Sequence, residues 1–341
     1  MTPPAAPPPR LVVLAGGVGG ARYLLGVREH ARARAGGTRA EDAVTAIVNV
    51  GDDAWVAGLR LSPDLDSVMY TLGGAVDGDR GWGRAGESYR VAEELAAYGV
   101  GWPWFTLGDL DLATLVARSS LLRDGLPLSA ATERLARRWD PGVRLLPASD
   151  QEVETHVQTE RDGAPALLHF QEWWVRHRAA PAARAFVQRG VEGAAPAPGV
   201  REAIRDADVV LLAPSNPVVS IGTILGIPGI AEALRATDAP VVGVSPLIGG
   251  AALRGMAETC LATIGVAATA GAVAGHYGAR SRGGILDGWL MDPADAAQAD
   301  AVRAAGIEPL VRPILFSSPA ETAAIAADAV ALGERLAGRR S

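Results

Sequence analysis

Several common protein classes are excluded by what this chain has little of. Only one of its 341 residues is a cysteine, Cys260, so no intrachain disulfide and no zinc site made of several cysteines can form. Charged residues are 21% of the sequence and the formal net charge is −6. This balance argues against an extended nucleic-acid surface, because binding a phosphate backbone needs a clustered positive face.

Long apolar runs and targeting segments are also missing. The first ten residues, MTPPAAPPPR, have prolines where a signal peptide would need apolar residues, and no later apolar run is long enough to span a bilayer. The single cysteine fits a reducing compartment. We therefore expect a cytoplasmic protein without a membrane partner, in which residues 1–10 form a flexible tail.

Familiar catalytic motifs are absent as well. The five histidines show no HExxH or other metal spacing, and neither a Gly-x-Ser-x-Gly turn nor a nucleophilic-cysteine pattern occurs. This pattern favours chemistry driven by a metal ion and by positioning over chemistry with a covalent enzyme intermediate.

Apolar strand-like segments followed by turns and helical patterns indicate the fold. These segments are Leu11–Ala15, Thr45–Val50, Asp208–Ala213 and Pro240–Val244. Their continuous apolar character is typical of parallel strands buried on both faces. The sequence thus predicts an α/β protein with a Rossmann-like, doubly wound, mostly parallel sheet. A capping pattern at Ser318 predicts the start of a last, alanine-rich helix.

Residues 129–200 follow a different pattern, in which short alternating segments are separated by turns. We expect them to form a smaller inserted α+β lobe, with the nucleotide-binding and metal-binding core made of residues 11–128 and 201–341. Ligands of such a core bind beyond the carboxyl ends of the strands.

A glycine-rich turn in LVVLAGGVGGARYLLGV connects the first strand to a helix. Such a turn offers backbone N–H groups and the positive end of a helix to an anion. It is not a dinucleotide fingerprint, because Arg22 occupies the third glycine position, and it lacks the Gly-Lys-Ser or Gly-Lys-Thr of a P-loop. A purely structural tight turn is the alternative. The candidate residues of this turn are Gly17, Val18, Gly19 and Gly20, and Arg22 follows them in the helix.

Four carboxylates follow the second strand, in NVGDDAWVAGLRLSPDLD. They are Asp52, Asp53, Asp64 and Asp66. Oxygen ligands of this kind suit Mg²⁺, which takes one or two carboxylates and often brings a substrate phosphate. The alternative is that these acids are solvated turn residues and helix caps.

Two further groups of side chains have ligand-binding and structural interpretations. The turn APSNPVVSIG places Ser215, Asn216, Ser220 and Gly222 after a buried strand, where they would hydrogen-bond a phosphate or a base, or only stabilise the loop. Flat aromatic faces stack on planar heterocycles, although most tryptophans are packing residues. The candidate tryptophans are Trp55, Trp82, Trp173 and Trp174.

Taken together, the motifs resemble one family. They are GGVGGAR, NVGDDAW, SPDLD followed by SVMYTLGG, RGWG, LGDLDLAT, LLPASD, HFQEWWVR and APSNPVVSIG. In this order they resemble the 2-phospho-L-lactate or phosphoenolpyruvate transferase family of coenzyme F420 biosynthesis, and its bacterial branch most of all. The resemblance implies a homodimer that uses Mg²⁺, the deazaflavin FO and a guanosine-diphosphate-linked three-carbon acid. The ribityl hydroxyl of FO would attack the distal phosphorus, and GMP would leave.

The resemblance also implies roles for the candidate residues. The four acids would hold Mg²⁺ or orient the hydroxyl, with Asp66 and Asp53 as the catalytic candidates. We expect Asp66→Ala to abolish transfer and to leave the protein folded. The glycine turn would bind the diphosphate, the APSNPVVSIG turn would bind GMP, and the tryptophans would border FO. Arg22 or Arg176 would lie near an anionic group, and Thr106 stands where archaeal relatives have a basic residue.

Two other functions compete with this one. A regulatory protein that binds a nucleotide sugar without catalysis would not need the acids. A nicotinamide-dependent oxidoreductase is opposed by Arg22 at the third glycine position. Ligand-induced thermal stabilisation by a guanine nucleotide with Mg²⁺, by a nucleotide sugar or by NAD would distinguish the three.

Overall fold

A computed structural model describes residues 8–35, 43–253 and 255–339. Its strands are β1 (Leu11–Ala15), β2 (Val44–Val48), β3 (Ala54–Val56), β4 (Leu59–Leu61), β5 (Arg144–Pro147), β6 (Glu154–Arg161), β7 (Ala164–His169), β8 (Ala185–Arg189), β9 (Val209–Leu212), β10 (Val241–Val244), β11 (Leu247–Ile248), β12 (Ala251–Ala252), β13 (Gly288–Met291) and β14 (Glu308–Val311).

Its α-helices are α1 (Gly17–Arg34), α2 (Pro63–Leu72), α3 (Arg90–Ala97), α4 (Asp109–Arg123), α5 (Leu128–Ala136), α6 (Val200–Asp206), α7 (Ile221–Gly226), α8 (Ile230–Ala236), α9 (Ala257–Thr263), α10 (Ala270–Tyr277), α11 (Ala299–Ala304) and α12 (Pro319–Gly338). Short helical turns occupy Glu172–Arg176, Val191–Gly193, Arg280–Arg282 and Pro293–Gln298. Residues 1–7 of the expected tail lie outside the described residues.

The main sheet confirms the predicted fold class. Among the described residues it has seven strands in the order β14-β13-β10-β9-β1-β2-β5, and every neighbouring pair is parallel. In β1, which lies between β9 and β2, Leu14 lies opposite Ile47 on one side and Leu212 on the other. All three side chains are buried, because helices cover both faces of such a sheet.

The strand order places a crevice at the centre of the sheet. From β1 the chain first builds outward through β2 and β5, and it later builds in the opposite direction through β9, β10, β13 and β14. The connections that follow β1 and β9 therefore diverge at the carboxyl ends of these neighbouring strands. Doubly wound sheets bind their ligands at this kind of switch point.

Helix packing and helix capping each explain one feature of the sequence. A Cβ atom on Gly26 of α1 would lie 2.4 Å from the Thr322 carbonyl oxygen of α12, so glycine allows these two helices to pack closely. Helix α12 begins where the capping pattern predicted, and the Ser318 hydroxyl oxygen accepts the Glu321 N–H at 3.2 Å.

A separate antiparallel sheet has the order β7-β6-β8. Trp173 packs in its core with Val157, Leu168 and Cys260. Strand β5 lies within the range predicted for the inserted lobe, yet it pairs with β2 in the main sheet. Along the chain, the small sheet therefore begins after β5, later than the predicted boundary at residue 129. The domain boundaries themselves stay a prediction. In the part of the chain that the structure describes, no helix combines the length and apolar character needed to cross a membrane.

Candidate active site

A cavity of about 1040 Å³ lies at the switch point of the main sheet. Its floor consists of the turns that directly follow β1, β2, β9 and β10. Further lining residues come from α2 and from two loops that flank α3, Arg80–Gly83 and Trp104–Leu107. The sequence thus brings the glycine turn, the acids and the aromatic side chains to one cavity.

The glycine turn lines this cavity and forms the start of α1. Gly17 has a φ of +64°, the left-handed region that favours glycine. The Ser215 hydroxyl accepts the Gly16 N–H at 3.0 Å and donates to the Gly16 carbonyl at 2.7 Å, which ties the turns after β1 and β9 together. Gly17, Val18 and Gly19 face the cavity. Gly20 does not line it, because Gly20 lies against Ser215, where a Cβ atom would meet the hydroxyl oxygen at 2.6 Å.

The turn after β9 contributes two polar cavity residues besides Ser215. The Asn216 side-chain oxygen accepts the backbone N–H groups of Val218 and Val219 at 2.9 and 3.2 Å, so this side chain also stabilises its own loop. Asn216 and Ser220 both line the cavity. Gly222 is outside the lining, and its lack of a side chain accommodates the Pro217 carbonyl, which a Cβ atom would approach to 2.8 Å.

The four predicted acids form two pairs instead of one cluster. Asp52 and Asp64 form the first pair, and both are buried at the cavity. The Gln171 amide donates to Asp52 at 3.1 Å and the Asn49 amide donates to Asp64 at 2.9 Å. Burial and the neighbouring Asp64 carboxylate raise the pKa of Asp52 well above its usual range. Burial also raises the pKa of Asp64 to about 6, although the Gly17 N–H opposes this rise.

Asp53 and Asp66 form the second pair, and arginines hold both. The Ser62 hydroxyl and the Arg60 guanidinium donate to Asp53 at 2.7 and 3.2 Å. The Arg118 guanidinium spans both oxygens of Asp66, donating to Oδ2 at 3.0 Å. Asp66 lines the cavity and Asp53 does not. Burial raises the pKa of Asp53 to about 7, against the effect of Arg60.

These pairings limit the metal sites that the acids can build. In the described ranges, no group of three or more His, Cys, Asp or Glu side chains is arranged to hold a metal ion. Mg²⁺ requires only one or two carboxylates when a substrate phosphate supplies further oxygens. The hydrogen bonds to Asp52 and Asp64 described above come from side-chain amides and not from arginines. The Asp52–Asp64 pair is therefore the more suitable of the two pairs for binding Mg²⁺.

Asp111 is a cavity acid that the sequence reasoning did not single out. It lies in the first turn of α4, lines the cavity and is 8% exposed. Burial raises the pKa of Asp111 to about 7, and the Asp66 carboxylate adds to the rise. The motif LGDLDLAT contained this residue, but a carboxylate in a first helical turn looks like an ordinary helix-start residue in sequence.

The structure brings two of the four candidate tryptophans to the cavity. Trp82 and Trp174 line it. Trp55 does not, and its indole N–H donates to Glu152 at 2.7 Å. Trp173 is fully buried, and its indole N–H donates to the Pro181 carbonyl at 2.7 Å, so it is a core residue of the small sheet. The sequence reasoning missed five aromatic lining residues: Tyr70, Trp104, Phe105, Phe170 and Phe316.

The candidate arginines also differ in whether they line the cavity. Arg22 lines the cavity one helical turn beyond the glycine turn. Arg80 also lines it, pairs with Asp77 at 3.1 Å and lies over the Trp82 ring at 5.3 Å. Arg176 pairs with Glu172 at 2.9 Å and is outside the lining.

Relatives of known name match nearly the whole chain. Phosphoenolpyruvate transferase from Mycobacterium sp. (strain KMS) is 56% identical over 337 residues, which are 96% of this chain and 99% of that protein. Phosphoenolpyruvate transferase from Thermobifida fusca is 55% identical over 330 residues, which are 97% of this chain and 99% of that protein.

A solved structure supports the fold. Protein BH3568 from Bacillus halodurans, a member of the UPF0052 family, superposes with a TM-score of 0.59 at 17% identity and covers 94% of this chain and 99% of its own. At this identity the likeness concerns the fold alone. A family model described as 2-phospho-L-lactate transferase CofD matches residues 11–311. Together with the relatives above, this match shows that the chain belongs to the CofD family of 2-phospho-L-lactate and phosphoenolpyruvate transferases.

Proposed function

We propose that this protein transfers a phosphoenolpyruvyl group from a guanosine diphosphate donor to the ribityl hydroxyl of the deazaflavin FO and releases GMP. The phospholactyl group is the alternative cargo, and the names of the relatives favour phosphoenolpyruvate. The observation that carries the proposal is one cavity that joins a helix N-terminus, a buried acid pair and an aromatic wall.

The floor of the cavity is suited to the donor. The N–H groups at the start of α1 and the positive end of the helix stabilise a diphosphate. Ser215, Asn216 and Ser220 present hydroxyl and amide groups from the turn after β9, next to the glycine turn. They would hydrogen-bond the guanosine monophosphate part without occupying its space.

The Asp52–Asp64 pair fits Mg²⁺. Both carboxylates are buried side by side, and Asp52 Oδ1 has no hydrogen-bond partner in the described structure. Burial raises the pKa of Asp52 and the neighbouring Asp64 carboxylate adds to the rise, and a bound cation relieves the repulsion between the two acids. When bound there, Mg²⁺ would neutralise charge on the diphosphate oxygens. Asn49 and Gln171 orient the two carboxylates for this role through the hydrogen bonds described above.

The aromatic wall is suited to a planar acceptor. Trp82, Trp104 and Trp174 line the cavity together with Phe105 and Phe170. Aromatic faces stack on a flat heterocycle such as the deazaflavin ring. Asp66 lines the same cavity and is oriented by Arg118, so it would contact the acceptor as a hydrogen-bond acceptor.

Mass spectrometry of the reaction product tests the proposal. Purified protein is incubated with FO, Mg²⁺ and either the enolpyruvyl or the lactyl guanosine diphosphate donor. We expect a product whose mass equals FO joined to the three-carbon acid through a phosphodiester, with GMP in equal amount. Absence of product with both donors, together with thermal stabilisation by a nucleotide sugar, would favour the regulatory alternative. A homodimer and a cytoplasmic location stay predictions.

A further inference from the structure

The proposed reaction needs a group that receives the proton of the attacking hydroxyl. The O–P bond to the acceptor forms while the bond from the distal phosphorus to GMP breaks, and the hydroxyl proton must leave the attacking oxygen. Among the described residues that line the cavity, there is no histidine, cysteine or lysine. A carboxylate is therefore the side chain that is suited to accept this proton.

The other cavity acids are already engaged. Asp52 and Asp64 form the pair that fits the cation. Both oxygens of Asp66 contact the Arg118 guanidinium. Asp53 is outside the lining and bonded to Ser62 and Arg60.

Among the cavity acids that the structure describes, Asp111 is the one that belongs neither to the Asp52–Asp64 pair nor to an arginine pair. Its side chain is more than nine-tenths buried at the cavity wall, and the Tyr70 hydroxyl beside it favours the charged carboxylate. Its Oδ2 atom lies near the loop that carries Trp82, since a Cβ atom on Gly83 would be 3.8 Å away from it. The Asp111 carboxylate thus belongs to the same part of the cavity lining as Trp82.

The backbone around Asp111 is held rigidly. The Glu87 carboxylate accepts the N–H groups of Leu110 and Asp111 at 2.7 and 3.0 Å, which caps the start of α4. Gly108 makes this cap possible, because a Cβ atom there would lie 2.1 Å from Glu87 Cδ. A catalytic side chain gains from such preorganisation, since misplacement of the base costs rate.

We propose that Asp111 is the general base of the transfer, accepting the proton of the acceptor hydroxyl as that oxygen bonds to phosphorus. This inference rests on the proposed function. The charged and titratable groups that face Asp111 are Asp66 and Tyr70 from α2, Glu87 from the preceding loop, and Arg118 from its own helix. Burial and the carboxylates of Asp66 and Glu87 favour the protonated acid, whereas Arg118 and Tyr70 favour the carboxylate.

The test compares Asp111→Asn with the wild-type protein and with a control at the far end of the same helix, Asp124→Asn. Asp124 is exposed and follows α4. We expect Asp111→Asn to lower kcat by about 10²-fold or more, while calorimetric titration gives donor and acceptor affinities within about threefold of wild type. Asp111→Glu should recover part of the loss, and the control should retain full activity.

Two further measurements separate a catalytic role from a structural one. Burial raises the pKa of Asp111 to about 7 in the folded protein, above its value in the unfolded chain. The folded protein therefore loses stability as the pH rises from the unfolded pKa to the folded pKa, and it loses none below the unfolded pKa. We therefore expect Asp111→Asn to raise the Tm at pH 8 and to leave it nearly unchanged at pH 4. The kcat of the wild type should rise between pH 6 and pH 8 more steeply than that of the variant.

The outcomes are distinguishable. Wild-type protein that forms no product refutes the proposed function itself. Wild-type activity with a fully active Asp111→Asn refutes the role of Asp111, as does a variant that loses only acceptor affinity at unchanged kcat.

Discussion

Replacing one partner of the Asp66–Arg118 pair is the sharpest test of how the cavity wall is held. The Arg118 side chain is 1% exposed and the Asp66 side chain is 7% exposed, so water screens neither charge. Arg118 also donates to the Arg60 carbonyl at 3.3 Å, which connects α4 to the β3–β4 hairpin. Asp66→Asn would leave a buried guanidinium without its carboxylate.

The burial of the pair determines how much the free energy of unfolding falls when one partner is replaced. Removing one partner of a buried ion pair costs about 3–5 kcal/mol, because the remaining charge is uncompensated. The Asp53 carboxylate lies close enough to Arg118 to compensate in part, so we expect about 3 kcal/mol for Asp66→Asn and a similar loss for Arg118→Met. In the double variant the two losses should not add, since the hydrophobic side chain replaces the charge that the first change orphaned. Urea unfolding followed by circular dichroism measures all three.

An exposed pair on another helix provides the control. Arg137 and Glu133 are 2.9 Å apart, and their side chains are 74% and 70% exposed. Breaking that pair should change the free energy of unfolding by at most about 0.5 kcal/mol. If Asp66→Asn costs no more than this control, the buried pair does not hold the wall as described. The sequence-based expectation that Asp66→Ala abolishes transfer and leaves a folded protein stays a prediction.

Three other changes have expected results of their own. Gly16→Ala would place a methyl group 2.7 Å from a carboxylate oxygen of the Asp52–Asp64 pair. Calorimetry should show at least tenfold weaker binding of GMP with Mg²⁺, and Gly78→Ala, where nothing lies within 4 Å of the added atom, should bind normally. Burial raises the pKa of Cys260 to about 12, so its thiol should stay neutral at pH 8 and react with Ellman's reagent only after unfolding; rapid labelling of the native protein would contradict this. Trp173→Phe should lower the Tm with little change in acceptor affinity, and Trp174→Phe should do the reverse; equal effects would refute the division between core and cavity.

The predicted strands and the last helix followed from the sequence because local patterns decide them. Continuous apolar runs such as Leu11–Ala15 are typical of strands covered on both faces, and the observed β1 has the same bounds. The Ser318 capping pattern depends only on neighbouring residues, and the observed helix begins directly after it. Family membership was also evident, because eight motifs in a fixed order carry more information than any single loop.

Tertiary structure alone decided which side chains share the cavity, which partners they have and how far the pKa of each acid is shifted. Two adjacent aspartates, Asp52 and Asp53, point to different partners, since Gln171 comes from the small sheet and Arg60 from the hairpin. Two adjacent tryptophans, Trp173 and Trp174, divide between core and cavity in one helical turn. Spacing along a chain cannot reveal such partners, because the packing of distant segments determines burial, and burial determines the charge that each acid carries.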